Sequence, residues 1–439
     1  MHIAMLSGEY PPRWGGMGST VFHLSGALAK MGHRVSVITR SSSGNSAAIP
    51  QQEGVSVRSV RWAKIPMAFT RSYGKHALKD LLALHETDPV DAVHIHAPMI
   101  SWDEKQFAVV RNEIGNVTTT LHGSWLGERD GMILAAKYGE AAVWKNPNDL
   151  AILLTGKHYA KYERAALVGS TVCVANSEAT KRDFAGRYQP PADWNCEVVR
   201  WGVDVKMFHP INRDQEEEQL AHESMRRRYG NPDEAALAGR AHSTEVADSG
   251  GTGVSMGDEL ETKTPLLLAV GRLVARKGFL TLLKAMPEIV AANPGVHLVI
   301  VGRGHMRKTL EKQAKKLFVS NHVTIESGMP FDELAQLFRS ADLSVYPSYY
   351  EGQGLIPLES MASGVPCVTV DDGPLPEMVD DSVGGLFELG DPASLAASVN
   401  RILADPALRA DMAIKGRQRV FDEYTYELNA EKYAEFYSK

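Results

Sequence analysis

Short apolar, strand-like runs alternate with helical stretches in two separate series along this chain, and that alternation constrains its architecture most. The first series opens with a strand at His2–Leu6, a glycine-rich loop, a helix from about Ser19 to Met31 and a strand at Arg34–Thr39. That helix carries Val21, Leu24, Leu28 and Met31 on one stripe, and Gly32 ends it. Further strands are expected at Ala92–Ile95, Val117–Leu121 and Thr171–Ala175. The second series has strands at Leu266–Val270, His297–Val301, Val323–Ile325, Leu343–Tyr346 and Val368–Val370, with helices at Phe279–Ala292 and His305–Leu317. Strands alternating with helices give a parallel, doubly wound sheet, with functional residues just past the strands' C-terminal ends. The expected fold is α/β: two doubly wound, Rossmann-like domains facing across a cleft.

At 439 residues the chain exceeds what one core usually serves. The reading places a first domain at 1–208, a linker or insertion at 209–263, a second domain at 264–420, and a C-terminal helix at 421–439 crossing back to the first. Within the linker, Glu216–Glu218 is acidic, Arg226–Arg228 is basic, and 240–257 is poor in apolar residues and rich in Gly and Ser. Residues Glu217–Tyr229 are expected to be helical, and the arginines to lie on the surface.

A net charge of −6 argues against nucleic acid as the main partner. Cys173, Cys196 and Cys367 are too few and too scattered for a disulfide framework or a zinc cluster. No apolar run approaches membrane-spanning length, and the N-terminus reads as a first strand rather than a leader, so the expected compartment is the cytoplasm. The helix near Met306–Leu317 carries Arg307, Lys308, Lys312, Lys315 and Lys316, read as a solvated face in preference to a membrane-docking one.

The chemistry concentrates in Tyr346–Gly364. A strand ends near Pro347, a loop spans Tyr349–Gln353, and a short helix runs from Gly354 to Ser363 before Gly364 and Pro366. Pro357 fits its first turn, where a missing amide costs nothing. The amides of Gly354, Leu355 and Ile356 then stand at the positive end of the helix dipole, ready for an anion. Glu351 in the loop is placed to hold sugar hydroxyls, and Glu359, a turn into the helix, to accept those of a ribose.

Other candidates come from strand ends. Gly15, Gly16 and Gly18 are read either as a flexible turn or as a site where a phosphate meets backbone amides. Their spacing is not the G-x-G-x-x-G fingerprint, which counts against a nicotinamide cofactor. His94, His96 and His122 lie near strand ends, but no carboxylate or cysteine nearby in sequence completes a metal site. His122 suits a neutral contact to a ligand hydroxyl, with a purely structural role as the alternative. Arg272 and Lys277 share one loop with Arg276 and suit a diphosphate, with a solvated basic turn as the bland reading. Without an Asp-x-Asp to hold magnesium, cations and the helix dipole carry the leaving charge.

These motifs resemble the retaining glycosyltransferases of GT-B fold, and glycosyltransferase family 4 in particular, with its glycogen-synthase-like and mannosyltransferase-like branches. The most specific element is Glu351-x7-Glu359, supported by Gly15-Gly16, Val270-Gly-Arg272 with Lys277-Gly278, and Gly202-Val-Asp204 with Phe208 and Pro210. The resemblance implies metal-independent hexosyl transfer from a nucleoside-diphosphate sugar to a glucan, small-molecule or lipid-linked acceptor, with no further cofactor. It implies that Arg272 and Lys277 neutralise the diphosphate, and that the Gly354 and Leu355 amides bind the outer phosphate. Glu351 would grip the donor sugar, Glu359 the ribose, His122 the sugar near its reacting face, and Gly15 and Gly16 would close over the donor. The chain departs from the family pattern at Gln353, where an aromatic residue is usual, at Trp201, where Asn is usual, and at Asp371-Asp-Gly-Pro, which replaces a paired-glycine turn. Two other readings suit the fold: a sugar-nucleotide epimerase, and a non-catalytic two-domain sugar-binding protein. The single central crossing between halves speaks against the second.

Overall fold

A computed structural model describes residues 1–12, 15–41, 49–140, 146–230 and 264–438. Arg13 and Trp14 of the glycine-rich loop, and residues 231–263 of the expected linker, lie outside the described residues. The 14 residues Glu216–Tyr229 form a helix, close to the expected span.

Two all-parallel sheets result. The first holds β1 (His2–Ser7), β2 (Arg34–Arg40), β3 (Val55–Val60), β4 (Ala92–Ala97), β5 (Asn116–Leu121), β6 (Val172–Ala175) and β7 (Cys196–Val198), in the order β3-β2-β1-β4-β5-β6-β7. The second holds β8 (Leu266–Val270), β9 (His297–Val301), β10 (Val323–Glu326), β11 (Leu343–Tyr346), β12 (Cys367–Val370) and β13 (Gly384–Phe387), in the order β10-β9-β8-β11-β12-β13. Central strands such as β1, β8 and β9 are buried at every position, because helices cover both faces of each sheet. The strand order reverses direction between β1 and β4 in the first sheet and between β8 and β11 in the second. Crevices open at those points, at the C-terminal ends of the strands.

Three strands escaped the sequence reading, and each is at or near a sheet edge. β3 alternates partly exposed Val, Ser and Arg, β7 is three residues long, and β13 begins with two glycines, so none carries a clear apolar run. The first helix starts at Gly16 rather than Ser19, which places Gly18 inside its first turn and Gly15 at its N-cap.

The last helical stretch is broken into Pro406–Glu423 and Tyr426–Tyr437, capped by the side chains of Asp405 and Thr425. The former packs on the helix Leu355–Ala362, the latter on the helix Gly16–Lys30 and on β5. Between them the Tyr424 carbonyl accepts from Val203 N at 2.9 Å. Tyr433, Phe436 and Tyr437 are thereby buried in the same core as Ile3, Met5 and Val21.

Candidate active site

One cavity of about 960 Å³ lies between the C-terminal edges of the two sheets. Gly15, Gly16, His122, Arg272, Lys277, Glu351, Gly354, Leu355 and Glu359, all singled out from the sequence, line it together.

The loop after β8 supplies the cations. A single 3-10 turn, Ala275–Lys277, directs Arg276 and Lys277 inward. Lys277 Nζ donates to the Tyr346 hydroxyl at 2.7 Å and forms a close ion pair with Glu351. Arg276 lies 2.8 Å from Glu128 and 3.7 Å from Glu351, and donates to the Tyr350 carbonyl at 3.2 Å. Arg272 approaches Glu128 at 3.6 Å but is 66 % exposed, against 11 % for Arg276, so it is the freer of the two to swing onto a ligand. From the sequence, Arg276 is noted in this loop but the diphosphate is given to Arg272 and Lys277, and Glu128 is not singled out. Arg276 carried a signal in its adjacency to Lys277; Glu128 sits in the other half of the chain and carried none.

The loop after β11 supplies the carboxylates. Ser348 Oγ donates to Glu351 Oε1 at 2.5 Å. Burial alone would push the Glu351 carboxyl up, but Lys277 and then Arg276 outweigh it and hold it well below the usual carboxylate range. The same burial draws the Lys277 ammonium down against the opposing pull of Glu351. Glu359 has no such partner: its Oε2 is buried without a hydrogen bond, and burial pushes its pKa up to about 7. Gly354 caps the helix Leu355–Ala362 at φ 103°, a conformation that favours glycine, and thereby lets the first amides of the helix face the cavity.

The first half of the chain holds this loop in place. Tyr350 packs so closely on the helix Trp125–Lys137 that a Cβ added at Gly127 would lie 2.3 Å from its hydroxyl, and that hydroxyl accepts from Ser124 N at 2.9 Å. The Gly352 carbonyl accepts from Ser177 Oγ and Thr180 Oγ1, both at 2.8 Å. Two carboxylates also cap helices across the cleft, in opposite senses. Glu140 accepts from Leu280 N at 3.0 Å, Thr281 N at 2.8 Å and Thr281 Oγ1 at 2.6 Å. Glu377 accepts from Glu178 N at 2.9 Å and Ala179 N at 2.7 Å. Each meets the orphan donors and positive dipole end of a helix from the other half.

His122 follows β5 and lines the cavity. Its Nε2 is 2.8 Å from His96 Nδ1, and its ring lies 4.6 Å from that of Trp201. Burial pushes its pKa well below the ordinary histidine value, so the ring is neutral near pH 7. Among the described residues no group of three or more His, Cys, Asp or Glu is arranged to hold a metal ion.

Residues 14–207 match the family model for Glycosyltransferase Family 4, and residues 257–419 the model for Glycosyl transferases group 1. A glycogen synthase of Mycobacterium tuberculosis is 28 % identical over 100 % of this chain and 94 % of its own length. Among solved structures, the sucrose-phosphate synthase of Thermosynechococcus elongatus superposes with a TM-score of 0.71 at 22 % identity, over 100 % of this chain and 98 % of that one. The Anabaena protein HepE, solved in complex with UDP and glucose, superposes with a TM-score of 0.64 at 17 % identity, over 100 % of this chain and 99 % of that one.

Proposed function

The chain belongs to the family 4 glycosyltransferases and has their GT-B fold, and we propose that it moves a hexosyl group from a nucleoside-diphosphate sugar to an acceptor hydroxyl with retention of configuration. The bond from the anomeric carbon to the diphosphate oxygen breaks, and the bond to the acceptor oxygen forms on the same face. The acceptor proton passes to the departing diphosphate. The acceptor is a glucan, a small molecule or a lipid-linked glycan.

Arg272 and Lys277, joined by Arg276, neutralise the diphosphate, and the amides of Gly354 and Leu355 bind its outer phosphate. In this reading these groups, and not a metal ion, stabilise the leaving charge. Glu359, which lines the cavity and has no charged partner of its own, accepts the ribose hydroxyls. Glu351 holds the donor sugar and stabilises positive charge developing at its ring, while His122 contacts the sugar near the reacting face. Gly15 and Gly16 close over the donor from the other half. A cytoplasmic setting fits three cysteines that are all buried and unpaired; no helix among the described residues is long and apolar enough to cross a membrane.

The observation that carries this reading is a shared cavity. It brings three cations, an anchored carboxylate, an unpartnered carboxylate and the start of a helix to one place. A fold neighbour that holds UDP and glucose is consistent with it. The test is incubation with uridine, adenosine and guanosine diphosphate sugars, with and without glycan acceptors and with a chelator. We expect nucleoside diphosphate release that persists in the chelator and a product with the donor's anomeric configuration. An inverted product, or loss of turnover on chelation, would overturn the mechanism; an altered sugar still attached to its nucleotide would indicate an epimerase.

A further inference from the structure

One carboxylate of the first half stands among the cations assigned to the diphosphate. Glu128, in the first turn of the helix Trp125–Lys137, lines the cavity with its side chain 20 % exposed. Its Oε1 lies 2.8 Å from Arg276 and 3.6 Å from Arg272, so a single oxygen faces two guanidiniums from the other half. Lys277 is paired with Glu351 instead.

The two arginines differ in what else holds them. Arg276 is little exposed, donates to the Tyr350 carbonyl at 3.2 Å and lies 3.7 Å from Glu351, so it keeps its place without Glu128. Arg272 is largely exposed, and Glu128 is its one ion-pair partner among the described residues. A diphosphate that engages these arginines therefore meets a carboxylate already on them, and three effects share one sign. The phosphate oxygens compete with Glu128 for Arg272, they share Arg276 with it, and its charge repels them. Inside a cavity walled by protein such repulsion is screened less than in water. A carboxylate that anchored the cations for the ligand would act in the opposite sense. Arg276 has other anchors, however, and an exposed pair at the distance of Arg272 orients its partner little.

We infer that Glu128 is a positioning residue that holds Arg272 and Arg276 until the diphosphate arrives, competes with it for them, and takes them back as the spent nucleoside diphosphate leaves. The inference rests on the assignment of Arg272 and Lys277 to the diphosphate. Nucleotide affinity is thereby held below what the cations alone would give. Binding shared equally by substrate, transition state and product does not speed the chemical step, so nothing is lost by weakening it. Asp149 borders the same wall and feels the same arginines, but it forms no ion pair with them among the described residues. It separates the effect of contact from that of charge at a distance.

The test is calorimetric titration of the full chain with uridine, adenosine and guanosine diphosphates, carrying forward the one that binds. Glu128→Gln keeps the shape and removes the charge, and should bind that nucleotide about three- to tenfold more tightly than the parent. Glu128→Ala should shift the affinity in the same direction. Loss of a contact that merely supports the fold would weaken binding or leave it unchanged, and either result in both variants overturns the inference. Asp149→Asn should tighten binding by less than about twofold. A gain there equal to that of Glu128→Gln overturns direct competition. In turnover, Glu128→Gln should lower the donor KM and the inhibition constant of the nucleoside diphosphate together, without raising kcat; a raised KM overturns the inference. If no nucleotide binds the parent or the variants, the diphosphate assignment fails and the inference with it. If the parent binds and the Glu128 variants gain nothing, only the inference fails.

Discussion

Gln353 holds both backbone groups of Trp201: its Oε1 accepts from Trp201 N at 2.6 Å, and its Nε2 donates to Trp201 O at 3.2 Å. The two residues are 1 % and 7 % exposed. These are two of the positions at which the chain departs from the family's usual residues, and the structure makes them neighbours. The amide ties the cavity loop of the second half to the segment leaving the first, and the Trp201 ring then rests against His122. Because Gln353 addresses backbone, its bonds do not depend on the side chain at 201.

Replacing Gln353 by Leu strands a buried N–H and a buried C=O, at a cost of about 1–3 kcal/mol. The denaturant midpoint should fall accordingly, and by the same amount in a Trp201→Asn background. A markedly smaller loss in that background would mean that the indole, and not the peptide, is what Gln353 supports.

Glu351→Gln keeps the shape and hydrogen-bonding oxygen of the side chain but removes the charge that faces Lys277 and Arg276. Turnover should drop about 10²–10³-fold, the usual scale for a preorganised electrostatic group, with an unchanged circular dichroism spectrum. A variant as active as the parent would remove Glu351 from the mechanism.

Arg272→Ala and Lys277→Ala should each weaken nucleoside-diphosphate binding by roughly 10- to 100-fold, the worth of one charge-assisted contact. Calorimetric titration with the nucleotide reads this directly. Unaltered affinity in both variants would dismantle the diphosphate assignment.

Glu140 caps a helix whose own N-cap, Gly278, has no side chain to offer. Glu140→Ala should cost about 1–2 kcal/mol and speed hydrogen exchange at the Leu280 and Thr281 amides. Exchange that stays slow there would show that another group satisfies those donors.

Much of this architecture was readable because its signals are local. The apolar run Leu266–Val270 needs no partner to be recognised, and the helix behind Glu351 is bracketed by Gly354 and Gly364 with Pro357 in its first turn. What escaped depends on tertiary context. β3, β7 and β13 are held by neighbours rather than by apolar content. The break at Tyr424–Thr425 lacks the glycine or proline that marks such points, although Thr425 is a capping residue. In the site, the residue types at 272, 277, 351 and 359 marked them as candidates, and the fold brings the four to one cavity. The pairings Arg276–Glu128 and Gln353–Trp201 join residues from opposite halves, and no spacing rule reaches that far.

Glu359 should make donor binding pH-dependent, and the sign follows from its surroundings. Burial raises its pKa from 4.5 to about 7, so the empty protein holds a proton there through mildly acidic conditions. A raised folded-state value means that the proton-bound carboxyl contributes stability fully present below about 4.5 and lost as the pH rises through about 7. A ribose diol donating two O–H groups favours the charged carboxylate and pulls the pKa back down, so binding must release a proton below about pH 7. Affinity for the nucleoside diphosphate should therefore tighten as the pH rises from about 5.5 to 7.5, by up to about tenfold per unit, and then level off. The phosphates and Lys277 also exchange protons on binding, and Glu359→Gln separates them, since it preserves the shape and removes the titration. Calorimetry in two buffers of different ionisation enthalpy counts the protons released. The parent should release more than the variant at pH 6 and the same number at pH 8.5; equal release at pH 6 would place the ribose elsewhere in the cavity.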